Sequence, residues 1–159
     1  MCTRLLVIGC LLSAAVGCSS APTPGAWSYR DFGAAQNSCN SDDVVDNGDG
    51  GFRLRDLGAD AYRVEPNDGS APFECTLDGS DLDCPNRANE TVQVGGFDAE
   101  LVVHVVAKAT VVDSETMEGT QDGDVTCQGT ACGTLAAVAG TSFPCAFSVD
   151  FTAELVTPE

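Results

Sequence analysis

Cysteine is the residue type with most chemistry to offer in this 159-residue chain: nine are present, against a single histidine. A thiolate can bind a metal, exchange with a disulfide, accept a lipid or close a structural crosslink, and spacing separates these uses. Cys39, Cys75, Cys84, Cys127, Cys132 and Cys145 include no C-x-x-C pair. That argues against a zinc cluster or a redox dithiol and favours structural disulfides. Hard-cation chemistry would have to come from the stretch 42–51, where Asp43, Asp46, Asn47 and Asp49 offer oxygens to calcium. The EF-hand spacing fails because Val45 occupies the first ligand place, so a solvated acidic loop is the simpler reading. Asp122-Gly123-Asp124 is a weaker version of the same pattern. His104 is the only histidine base, and no nucleophile motif or phosphate-cradling loop accompanies it. No catalytic residue is assigned, no enzyme is expected, and no cofactor is called for.

The elements that must position these residues begin after an address. Residues 1–17 carry Arg4 as their only charge, then an apolar run over 5–12, then small residues up to Gly17. A membrane span needs about 20 apolar residues, so this is an export signal. Its end, Ala15-Val16-Gly17-Cys18, resembles the bacterial lipobox. Val7-Ile8-Gly9-Cys10 fits the same pattern, but cutting there leaves an apolar region of only about five residues, short of the roughly 7–15 expected. The resemblance implies that Cys18 becomes the mature N-terminus, carrying a diacylglycerol thioether and an N-acyl chain such as palmitate. Several chains anchor firmly where one alone is marginal. Residues 18–25 then form a polar, Pro-stiffened tether and 26–159 a single domain. Ser19 directly after the cysteine is compatible with sorting to the outer membrane.

Cys2 and Cys10 leave with the signal and Cys18 takes lipid, so an even set of cysteines remains for an oxidising compartment. One pairing follows from geometry. Residues 72–85 alternate apolar and polar side chains around Asp78-Gly79-Ser80-Asp81. A turn at Gly79-Ser80 sets Leu77 opposite Leu82 and Cys75 opposite Cys84, at cross-strand distance for a disulfide. Cys127 and Cys132 close a short hairpin in one scheme, leaving Cys39 with Cys145; Cys127 with Cys145 is the competing scheme.

Beyond the tether the chain reads as short β segments punctuated by Gly, Asn, Asp and Pro. Strands are expected over 51–57, 61–66, 91–94 and 98–112. In the last of these Leu101, Val103, Val105, Ala107, Ala109 and Val111 form the core row. The final strand is the clearest, with Phe143, Cys145, Phe147, Val149, Phe151, Ala153 and Leu155 on one face. Stretches 34–51 and 114–129 read as Gly- and acid-rich loops, and no helical period is visible. The expected fold is all-β: an antiparallel meander of roughly eight strands, barrel or sandwich, stapled by disulfides. Gly25-Ala26-Trp27 resembles the G-x-W motif that opens the first strand of lipocalins, the calycin β-barrels. That resemblance implies a cup for a small apolar ligand with Trp27 at its base, and a helix before the last strand.

Charge then excludes partners. With 24 acidic and 7 basic side chains the net charge is −17, which argues against nucleic acid and anionic lipid headgroups. The apolar fraction of 43% is enough for a packed core. The chain is thus expected to be a lipid-anchored component of the bacterial cell envelope with a non-catalytic binding or structural role. A lipocalin-like carrier and a calcium-dependent adhesion module are the alternatives, and its partner, protein or small ligand, is not specified.

Overall fold

A computed structural model describes residues 21–39 and 49–159. Eight strands follow one another around a closed antiparallel barrel: β1 (Gly25–Asn37), β2 (Asp49–Gly58), β3 (Ala61–Pro66), β4 (Phe73–Asp78), β5 (Asp81–Gln93), β6 (Glu100–Asp113), β7 (Thr116–Gln128) and β8 (Cys145–Pro158). β8 pairs with β1, so no sheet edge is left open. The choice between barrel and sandwich is resolved by this closure.

Alternation drives it. The odd row of β6 supplies the buried Val105, Ala107 and Val111, and the odd row of β8 the buried Cys145, Phe147, Val149 and Ala153. Charged residues such as Lys108, Asp150 and Glu154 occupy the exposed rows between them. The β4–β5 hairpin adopts the register with Leu77 opposite Leu82 across Gly79-Ser80, and Gly79 takes φ 66° there. Cys75 and Cys84 are disulfide-bonded with Cα atoms 4.2 Å apart. The other disulfides are Cys39–Cys145 and Cys127–Cys132.

Three expectations are corrected. The stretch 114–129 is not a loop: 116–128 is β7, a full wall of the barrel. Its glycines make room for rings instead of turning the chain. Gly119 lies opposite Phe151 and Gly123 opposite Phe147, and a Cβ at Gly123 would run into the Phe147 ring. Gly50 stands in the same relation to Tyr29, whose ring covers it. Each pair lets an aromatic side chain lie across a glycine inside a narrow barrel. Second, the ends of the stretch 34–51 are strand, in β1 and β2. Third, a helix is present: α1 (Cys132–Ala139), just before β8, ending at Gly140 with φ 67°. None of its residues is buried, so it has no apolar face to give a helical period. It is held by Cys127–Cys132 and by Asp98, whose carboxylate accepts hydrogen bonds from Thr130 N and Oγ1. Those bonds hold the Asp98 carboxyl below the ordinary carboxylate range.

The two ends of the barrel differ. At the end where β1 begins, Pro22 is fully buried, Thr23 N donates to the Ser114 carbonyl at 2.9 Å and Glu159 N to that of Pro24 at 3.0 Å. Trp27, 1% exposed, donates its indole N–H to the Thr23 carbonyl at 3.0 Å. This base is closed. The opposite end carries Cys39–Cys145 and α1, and Ser38 binds Ala146 there through both backbone and side chain.

Candidate functional site

Interior positions of a small barrel are filled by side chains, so any space left inside needs a cause. Here the cause is uneven strand length. β3 and β4 have 6 residues each, whereas β5 to β8 have 13 or 14, so the wall is low beside the connection between Pro66 and Phe73. Below that gap the barrel holds a cavity of about 70 Å³. Its floor is Phe52, stacked on Trp27 with ring centroids 6.2 Å apart and planes within 9°, a pair worth about 0.5–1.5 kcal/mol. Tyr29, Phe151 and Met117 stand around it, and the small Ala107 and Ala109 of β6 leave the space open. Pro66, Phe73 and Arg87, all partly exposed, form the mouth.

Arg87 is placed by an irregularity in β5. Cys84 pairs with Ala107 and Ala88 with Val105, so Pro85, Asn86 and Arg87 together oppose Val106 alone. Proline has no amide hydrogen for the ladder, and such bulges re-aim side chains. The Arg87 guanidinium lies over the Phe73 ring, 5.2 Å from its centroid, an interaction of about 0.5–1 kcal/mol at an exposed site. Pro85 inside a strand pattern was the available signal for this residue, which sequence reasoning missed.

A cavity of this size is well under the roughly 300–1,000 Å³ of pockets for drug-sized molecules. It suits a narrow apolar group whose remainder stays outside. The barrel's own polarity agrees with an aqueous setting for the domain: apolar rows face in and charged rows face out, the inverse of a membrane-spanning barrel. No described helix is long and apolar enough to cross a membrane.

The other candidate residues lie elsewhere. His104 belongs to the polar row of β6, in register with Asp124 and Asn89, and does not line the cavity. Asp122 accepts a hydrogen bond from Ser148 Oγ at 2.6 Å on the outer face. Cys18 and the calcium candidates Asp43, Asp46 and Asn47 fall outside the described residues, and Asp49 opens β2 opposite Arg30 with its side chain undescribed. Among the described residues no group of His, Cys, Asp and Glu could hold a metal ion. The six cysteines are brought together only as three disulfides.

No protein-family model matches the chain, and neither does any curated protein or solved structure.

Proposed function

We propose that the protein is a lipid-anchored, non-catalytic binding protein of the bacterial cell envelope, sorted to the outer membrane, which takes a narrow apolar group into its barrel. The observation that carries the binding role is the aromatic-walled cavity above Phe52 and Trp27. Its lining contains no carboxylate and no histidine, which favours binding over acid–base chemistry. The closed eight-strand meander, the buried Trp27 and the helix before β8 agree with what the lipocalin resemblance implies. The anchor rests on the lipobox resemblance. Because the described chain enters at the closed base, a barrel tethered through Cys18 would carry its mouth on the side away from the tether.

Binding is tested on the full-length chain with Cys18→Ser, which removes the lipid acceptor so that the protein's own acyl chains do not compete for the cavity. Trp27 is the only tryptophan. Titration with decanol is expected to give a saturable change in its emission, transmitted through Phe52. A response that only scales with added alcohol would defeat the reading. Anchoring is tested on the unaltered protein: the N-terminal fragment should begin at Cys18 with the added mass of a diacylglycerol and an acyl chain. An unmodified mass, with partition into the aqueous phase of detergent, would remove the anchor.

A further inference from the structure

We infer that the ligand is a single-chain amphiphile with a carboxylate head, seated tail-inward with that head on the Arg87 guanidinium. This rests on the binding role proposed above and adds the chemistry of the head. Cations are scarce in the chain, 7 in 159 residues, and most of the described arginines are already engaged. Arg53 pairs with Glu159, Arg55 with Glu65 and Glu159, and Arg63 with Glu74, at 2.8–3.3 Å on the outer face. Arg87 forms no ion pair within the described residues and lies over Phe73 at the mouth. Asp68 is near enough to feel its charge, but Asp68 Oδ1 accepts hydrogen bonds from both the backbone N and the hydroxyl of Ser70.

The bulge at 85–87 thus sets a guanidinium at the rim of a cavity lined mainly by aromatic and aliphatic residues, with Lys108 of the exposed β6 row and Gln121 as its other polar members. A guanidinium matches a carboxylate with two parallel hydrogen bonds, which a point charge does not. In a chain of net charge −17 a monoanion meets less repulsion than a dianionic phosphate, which favours the carboxylate head. The space of about 70 Å³ admits the end of one unbranched tail and not a pair of acyl chains. The source is therefore a free fatty carboxylate, not an anionic phospholipid still in its bilayer.

The test uses the same full-length Cys18→Ser chain and compares decanoate, decanol and decyl phosphate at neutral pH and physiological salt. Decanoate should bind at least about tenfold more tightly than decanol, consistent with a charge-assisted head contact, and more tightly than decyl phosphate. Arg87→Gln should bring decanoate down to decanol or below it, so that the preference for the carboxylate head is lost. Arg87→Lys, which keeps the charge without the planar fork, should retain a reduced preference and serves where the glutamine variant does not fold. Equal binding of decanoate and decanol by the unaltered mouth, or a preference that survives Arg87→Gln, would overturn the assignment and leave the apolar cup standing. Tighter binding of decyl phosphate, or of anionic vesicles over free decanoate, would overturn the choice of head or source. Failure of every ligand to bind would overturn the cup as well.

Discussion

Replacing Cys39 and Cys145 together by alanine is expected to cost about 4–5 kcal/mol, the largest loss among the three crosslinks. The reason is chain length. The two cysteines are 106 residues apart, against 9 for Cys75–Cys84 and 5 for Cys127–Cys132. A crosslink lowers the entropy of the unfolded chain in proportion to the logarithm of the loop it closes. The expected contributions are about 4.8, 2.6 and 2.1 kcal/mol in that order. Burial widens the gap, because Cys39 and Cys145 are 2% and 5% exposed while Cys127 and Cys132 lie nearer the surface. Truncating the buried pair also leaves unfilled space. Urea unfolding of the three double variants should rank them in this order. A loss from Cys127→Ala/Cys132→Ala as large as that from Cys39→Ala/Cys145→Ala would show that loop closure does not govern this barrel.

The second large effect concerns the glycines of β7. Alanine at Gly123 would bring its Cβ closest to atoms of the Phe147 ring, whereas alanine at Gly119 would meet the Lys108 backbone carbonyl, the Ala109 Cα at 2.8 Å and the Phe151 ring at 2.8 Å. Both substitutions overpack the interior, so each is expected to destabilise by about 2–3 kcal/mol or more. The difference lies in the remedy. A ring can be shortened, but a strand carbonyl in the β6–β7 ladder cannot move away without breaking register. Phe147→Leu should therefore recover much of the loss from Gly123→Ala, with a coupling of at least about 1 kcal/mol in a double-mutant cycle. Phe151→Leu should recover little from Gly119→Ala. Equal rescue at the two sites would mean that β7 does not pack as described.

These glycines also show where sequence pattern stops informing. β6 and β8 were legible because bulky apolar residues alternate with polar ones along their length. β7 was not, since its inward row is Met117, Gly119, Gln121, Gly123, Val125 and Cys127, in which ring-bearing neighbours on β8 supply the missing volume. Glycine there looks like a turn residue until the partner strand is known. The helix α1 was hidden for a related reason: nothing on it is buried, so nothing selects a period. The Cys75–Cys84 pairing could be read because a hairpin register is set locally by its turn. The cavity could not, because it depends on closure of β1 against β8 and on the low wall at β3 and β4, which are properties of the whole chain.

The claim that the barrel receives an apolar ligand is tested most directly at Met117, which is 2% exposed and lines the cavity. The chain has only two methionines, Met1 and Met117, so a methyl-labelled sample gives at most two methionine signals. With decanol at saturation, the Met117 methyl resonance is expected to shift and to receive magnetisation from the ligand's tail protons. A Met117 resonance that neither moves nor receives transfer while decanol is bound would place the ligand outside the barrel.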